Sequence, residues 1–477
     1  MKTDKKPLFD SDLINEALGK DLQSRLGAKQ TFKRAVIDSR EVKSGDLFVA
    51  LPGTITNGHL HAAAAIKAGA NGCLLERHVE GTETGEIFFV NDTLNALQKI
   101  AAYWRRSLRD LTVIGVTGNV GKTTTKILTA ELIASKYEVQ FSKANYNNEI
   151  GVPLCLLELQ PTTDFSVIEM GMYTTNEISL LCKWSKPTIG IVLNVGPVHL
   201  ERAGSMENII KAKQELVEAL PENGVAILNS DDPAVRKMAE HTSANVIFIG
   251  QDPSAMIRGT QITSNGQNGF SFNLEIKNQK RKIQVPFPGK HLMTNLLAAI
   301  AVANTLGMDI DEIAEKIPNL DSTLRTKIST LPGNILLLDD TYNASPVSMH
   351  AAITLLSELP GRHFALLGDM LELGNESQKA HQEIGKFAAK NIDVLFTIGD
   401  LGLTISEAAH KFGNLEASHI NERNTAAQII ANQLRPGDAI LIKGSRGLRL
   451  ETVVMELSKI LSEMYTSQSF SNNEVEP

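Results

Sequence analysis

Residues Val113-Ile114-Gly115-Val116-Thr117-Gly118-Asn119-Val120-Gly121-Lys122-Thr123-Thr124-Thr125 constrain this chain more than any other stretch. An apolar run rich in β-branched residues ends in a glycine turn, and a lysine and a hydroxyl cluster then open a helical segment. A strand that feeds a helix through such a turn sets backbone N–H groups and the helix dipole against phosphate. Gly118 and Gly121 permit the close approach, Lys122 supplies a point charge, and Thr123 offers a hydroxyl to Mg²⁺. The strict Walker spacing asks for another glycine five residues before Gly121. That position is Val116, so the loop is the variant T-G-x-x-G-K-T-T.

Strands and helices alternate along most of the chain, which predicts α/β architecture. A length of 477 residues is too great for one core, and two or three domains of roughly 100–200 residues are expected. The first block, 1–109, carries short strands near Val36, Leu47–Ala50, Cys73–Leu75 and Ile87–Val90. An alanine-rich helix ends at Gly69, and a long helix covers about Thr93 to Leu108. The second block, 110–319, carries buried strands at Thr112–Val116, Phe165–Met170, Thr188–Asn194, Val225–Asn229 and Val246–Gly250, an open parallel sheet. Arg258 to Val285 alternates polar and apolar residues with an Asn-Gly turn, which predicts a small antiparallel sheet before a helix over about Thr294–Leu306. The third block, 320–466, repeats strand–helix alternation at Ile335–Leu338, Phe364–Leu367, Val394–Ile398 and Ala439–Ile442, a second doubly wound domain. The polar segment 467–477 reads as a disordered tail.

Composition narrows the function classes. A formal charge of −7 gives no support for a nucleic-acid or anionic-membrane surface. Cys73, Cys155 and Cys182 share no metal-binding or disulfide spacing and fit a reducing compartment. The charged first residues do not form a signal peptide, and no apolar run reaches the roughly 18 residues of a membrane span. These readings predict a cytoplasmic protein with no membrane span and no nucleic-acid partner.

Glu169 ends an apolar strand, and His199 follows the strand that ends at Asn194. In a parallel sheet both emerge at the carboxyl edge that presents the phosphate loop. A carboxylate, an imidazole and a hydroxyl beside a triphosphate form a divalent-metal set; a helix-capping glutamate and a surface histidine would show the same spacing. Lys213 lies four residues after Ile209 and three before Leu216 in a predicted helix over Met206–Leu220, on the inward stripe, whereas Lys211 lies off it. An inward lysine pairs with phosphate, loses its proton or is covalently changed, unless its stem packs flat and the amine snorkels out.

With these residues in view, the chain resembles the Mur ligases, which build the peptide stem of peptidoglycan. T-G-N-V-G-K-T-T-T-K is similar to their phosphate loop, and Asp38-Ser39-Arg40 followed by Gly45-Asp46-Leu47-Phe48-Val49-Ala50-Leu51 to the D-S-R…G-D-L-F-V-A-L signature of the two later ligases. Asn145-Tyr146-Asn147-Asn148-Glu149-Ile150-Gly151-Val152-Pro153 and Asp339-Asp340-Thr341-Tyr342-Asn343-Ala344-Ser345-Pro346 resemble segments of the branch that adds D-alanyl-D-alanine. Leu367–Gly374, with Gly-Asp at its head, and Lys443-Gly444-Ser445-Arg446 complete the set.

The resemblance implies ATP as cofactor, with two Mg²⁺ sites, and an amide bond made through an acyl phosphate between UDP-MurNAc-tripeptide and D-Ala-D-Ala. It implies that Gly118, Asn119, Val120, Gly121, Lys122, Thr123 and Thr124 cradle the phosphates. Thr123 and Glu169 would hold one Mg²⁺, His199 would lie near a second, and Lys213 would be carbamylated and ligate metal. His291, Asn295, Arg325, Asp340, Tyr342 and Asn343 would contact the nucleotide; Ser39, Arg40, Asn145, Asn147 and Asn148 would meet the substrate. Leu292 and Ser345 replace asparagines of the family pattern, which puts one contact each in doubt. The chain is expected to act as a monomer whose domains close on ATP and substrate. The alternatives are the third-residue ligase of the same family, opposed by the missing acidic-Asn-Arg motif, and a folylpolyglutamate-synthase-like ligase, whose loop continues G-K-G-S. A non-catalytic nucleotide-binding regulator is a third.

Overall fold

The computed structural model describes residues 8–53, 56–143, 145–198, 200–320, 327–413 and 415–471. The architecture is α/β with three domains, each built on its own sheet. By contact density the chain divides into two compact units. One comprises Met1–Gly118, Thr125–Leu193 and Ile210–Phe248; the other comprises Asn119–Thr124, Asn194–Ile209 and Ile249–Pro477.

The first unit opens with a five-stranded sheet in the order Leu22–Leu26, Glu86–Val90, Gly72–Leu75, Asp46–Val49, Arg34–Val36. Leu22–Leu26 is the antiparallel edge, and the other pairs are parallel. The helix Thr93–Ser107 begins where the Asp92 carboxylate accepts the N–H of Asn95, and it buries Ala96, Leu97, Ile100, Ala101 and Trp104 along one face. Such a cap is worth about 1 kcal/mol. In the same unit, Val225–Asn229, Ile189–Val192, Thr112–Thr117, Phe165–Glu169 and Val139–Phe141 lie side by side in that order, all parallel. Their near-continuous apolar burial is that of a sheet covered on both faces.

In the second unit, Ile257–Ser264, Phe270–Ile276 and Gln279–Val285 form the expected antiparallel set, with Asn265 N–H on the Gly269 carbonyl at the first turn. The helix Met293–Thr305 is buried along nearly its whole length. A six-stranded sheet follows in the order Lys327–Leu331, Ile335–Asp340, Ala439–Lys443, His363–Gly368, Val394–Ile398, Glu416–Ile420. Its first pair is antiparallel and the rest are parallel. Leucine, isoleucine and alanine side chains fill both faces in two separate clusters. Fully burying one leucine or isoleucine stabilises by about 1.5–3 kcal/mol, so these clusters dominate the domain's stability. The final helix, Glu451–Ser471, continues into the segment whose polar composition reads as a tail.

Candidate active site

The loop strand Thr112–Thr117 is buried from Val113 on, and its register sets the carboxyl edge. Val116 pairs with Glu169, and Thr117 pairs with Val192. Val116 is fully buried and still within the strand, so the turn begins two residues later than a long Walker loop would require. That explains valine where the strict pattern has glycine. Gly121 does need to be glycine: its φ is +86°, and a Cβ there would lie 2.2 Å from Asn295 Nδ2.

Two asparagines hold the loop. Asn194 Oδ1 accepts the N–H of Asn119 at 3.0 Å and of Val120 at 2.9 Å, and its amide donates to the Val120 carbonyl at 3.0 Å. Asn119 in turn locks onto Gly196, donating to its carbonyl at 2.7 Å and accepting its N–H at 2.9 Å. Asn119 and Val120 therefore brace the turn through their own polar groups. Asn295 donates to the Gly121 carbonyl at 3.0 Å, which ties the helix Met293–Thr305 to the loop. Lys122 opens the helix Lys122–Ile133, and its ammonium reaches the Asn119 carbonyl at 3.2 Å. Thr123 is half-buried; Thr124 is buried.

Glu169 is the last residue of its strand and is buried. It caps no helix. Asn147 Nδ2 donates to its Oε1 at 2.9 Å, the Lys126 ammonium stands 3.5 Å from its Oε2, and its N–H donates to Ser142 Oγ at 3.2 Å. The placement of Asn147 is fixed by the N–H of Gly171 on its carbonyl at 2.8 Å, with Gly171 close against its side chain. Asn148 accepts the N–H of Gly151 at 2.9 Å and so starts the helix Gly151–Leu156; Asn145 is exposed and its carbonyl accepts the Asn147 N–H at 2.8 Å.

Lys213 is 2% exposed on the helix Met206–Glu218, while Lys211 is exposed. The inward stripe holds, and the snorkelling alternative does not. Two residues on, Glu215 caps the helix Glu177–Ser185 by accepting the N–H groups of Asn176 and Ser179. His199 and Arg325 lie outside the described residues.

In the turn Asp38-Ser39-Arg40, Arg40 is exposed and folds back onto Asp38, which also accepts the Arg40 N–H at 2.9 Å. These bonds hold the Asp38 pKa down to about 2. Ser39 is half-buried in the same turn.

On the last sheet, Asp340 and Lys443 are paired in parallel register. The buried Lys443 ammonium donates to Asp340 Oδ2 at 2.6 Å and to the Asn343 carbonyl at 2.8 Å, pinning the turn that carries Tyr342 and Asn343. Tyr342 and Asn343 are exposed beside it, with Arg446 near the Tyr342 ring. His291 is open to solvent on one side and crowded by protein elsewhere. That crowding lowers its pKa, Asp340 acting to raise it and Lys443 to lower it. Ser345 is the N-cap of the helix Pro346–Ser357, in a reciprocal capping box with Ser348.

Asn194, Ser142 and Lys126 are site residues that sequence reasoning missed. The available signals were a polar residue closing a buried strand for Asn194, and one turn of helix after Lys122 for Lys126. Among the described residues no three His, Cys, Asp or Glu side chains gather into a metal cage. A single buried carboxylate suits Mg²⁺, which usually takes one or two carboxylates and completes its shell with substrate phosphates and water.

The chain matches the catalytic domain of the Mur ligase family over residues 32–105, the Mur ligase middle domain over 116–303 and the Mur ligase glutamate ligase domain over 325–446. It is 35% identical to the UDP-N-acetylmuramoyl-tripeptide–D-alanyl-D-alanine ligase of Bacillus subtilis, across 88% of this chain and 92% of that protein. It is 38% identical to the ligase of the same name from Synechocystis, across 90% and 92%. A crystal structure of MurF from Acinetobacter baumannii superposes with a TM-score of 0.84 at 28% identity, covering 95% of this chain and 99% of that one. MurF ligase from Thermotoga maritima in complex with ADP gives 0.79 at 29% identity, covering 91% and 98%.

Proposed function

The chain belongs to the Mur ligase family, and we propose that it joins D-alanyl-D-alanine to UDP-N-acetylmuramoyl-tripeptide at the expense of ATP, in the cytoplasm and as a monomer. The observation that carries this reading is a braced phosphate loop in a chain that matches ligases named for this reaction over nine-tenths of its length.

A free carboxylate is a poor electrophile. The tripeptide carboxylate attacks the γ-phosphorus of ATP, giving an acyl phosphate and ADP. The dipeptide amine then adds to the acyl carbon, and the tetrahedral intermediate collapses to the amide, inorganic phosphate and a proton. Two anions meet in the first step, so the chain must supply positive charge and fixed donors there. Lys122 and the loop's backbone serve the phosphates, Thr124 follows on the loop helix, and Asn119, Val120, Asn194 and Asn295 keep the loop in shape. Thr123, Glu169, His199 and Lys213 would hold Mg²⁺, which neutralises phosphate charge when bound. The Lys213 ammonium first loses a proton, and its neutral amine then takes up CO₂ and releases a second proton to become a carbamate; over both steps a buried cation becomes an anionic oxygen ligand.

His291, Arg325, Asp340, Tyr342 and Asn343 serve the nucleotide. Ser39, Arg40, Asn145 and Asn148 serve the substrate, and Asn147 does so through Glu169. The reading is tested by phosphate release from purified protein with ATP. Release that requires both UDP-MurNAc-tripeptide and D-Ala-D-Ala supports it; release with neither, or none with both, overturns it.

A further inference from the structure

Lys126 lies one helical turn beyond Lys122 on Lys122–Ile133; it closes the T-G-N-V-G-K-T-T-T-K segment, but the general phosphate-loop pattern ends at Gly121-Lys122-Thr123 and assigns it no task. Its ammonium stands 3.5 Å from Glu169 Oε2, with both side chains only 2% exposed. Burying two opposite charges costs several kcal/mol per ion, and such pairs seldom add net stability. The distance exceeds the roughly 2.7–2.9 Å of a tight charge-assisted hydrogen bond, so Lys126 faces Oε2 as an ion-pair partner. Asn147 holds the other oxygen at 2.9 Å and is itself fixed by Gly171. The carboxylate is thus held from both sides, by Asn147 and by Lys126.

We propose that Lys126 is a positioning residue for the ligase reaction: opposite Asn147, it holds the Glu169 carboxylate in the orientation that receives Mg²⁺ with the nucleotide. In this role it acts through Glu169 and not on the reacting groups. The inference rests on the reading of Glu169 as a metal ligand. It also makes Asn147 the link between the Asn145–Gly151 segment and metal loading.

The test is Mn²⁺ binding to the full-length protein at saturating ADP, followed by electron paramagnetic resonance of free Mn²⁺. Lys126→Met and Lys126→Gln are each expected to weaken Mn²⁺ about tenfold, as loss of a group that orients a metal ligand does. Lys126→Arg should recover most of that loss. In the variants with ligase activity, the Mg²⁺ concentration for half-maximal rate should rise by a similar factor. Glu169→Gln should also weaken Mn²⁺, and adding Lys126→Met to it should weaken Mn²⁺ no further. Lys126→Gln keeps a polar contact to Glu169 and carries the test if the methionine variant does not fold. Unchanged or tighter Mn²⁺ binding in either neutral variant overturns the proposal, since a purely structural or merely competing lysine would give that result. If Glu169→Gln leaves Mn²⁺ affinity unchanged, the metal reading of Glu169 itself fails.

Discussion

Replacing Gly121 with alanine tests whether the phosphate loop works through one enforced backbone shape. Gly121 sits at φ +86°, where an L side chain is strained by about 1–2 kcal/mol. Its new Cβ would also meet Asn295 Nδ2 at 2.2 Å. Asn295 is buried, so it must swing away and lose its 3.0 Å bond to the Gly121 carbonyl, worth about 1 kcal/mol. The native loop shape is therefore disfavoured by about 2–3 kcal/mol, a factor of about 30 to 150 in nucleotide affinity. Calorimetric titration with Mg²⁺–ADP measures this directly, with scanning calorimetry to confirm that the domains remain folded. Asn295→Ala alone should lose about 1 kcal/mol. In the double variant the alanine at 121 adds only its backbone strain, so the combined loss falls about 1 kcal/mol short of the sum. A Gly121→Ala protein that binds ADP within threefold of the original, or a strictly additive double variant, would refute the reasoning.

Three further outcomes are expected. Lys213→Ala should abolish activity, and short carboxylic acids should restore part of it by standing in for the carbamate; full activity without additives would remove Lys213 from the site. His381 is buried and neutral, its Nε2 accepting the Met370 N–H at 2.9 Å and its Nδ1 facing the Ser377 carbonyl at 2.7 Å, and burial lowers its pKa. The unfolded chain then binds the extra proton first, so stability should drop as pH falls below about 6.5, and His381→Gln should flatten that slope in melting curves. Burial pushes the Cys73, Cys155 and Cys182 thiols up to about 12, so at pH 8 each should react with a thiol reagent on the order of a thousandfold more slowly in the folded chain than in denaturant.

The elements that read plainly from the sequence are those whose signal is local. Thr112–Thr117, Phe165–Glu169 and Val225–Asn229 are continuous apolar runs, and Met206–Glu218 carries a clean helical stripe that placed Lys213 inward. Edge strands escaped notice because one of their flanks faces water. Glu416–Ile420 alternates exposed and half-buried residues up to the buried Ile420, and Leu22–Leu26 buries nothing fully. Their strand character comes from a neighbour's hydrogen bonds. The same holds within the site. Asn194 matters because its amide lands on the turn after Thr117, and Lys126 because a strand far away in sequence brings Glu169 beside it. Ser345 shows the converse case: its role as a helix cap is local, set by Ser348 three residues on.

The most direct test of the central claim follows an oxygen atom. UDP-MurNAc-tripeptide with an ¹⁸O-labelled terminal carboxylate is incubated with ATP, D-Ala-D-Ala and the protein, and the phosphate released is weighed by mass spectrometry. Activation through an acyl phosphate predicts one ¹⁸O in the phosphate for each amide bond formed from fully labelled carboxylate. Unlabelled phosphate accompanying amide formation would contradict it.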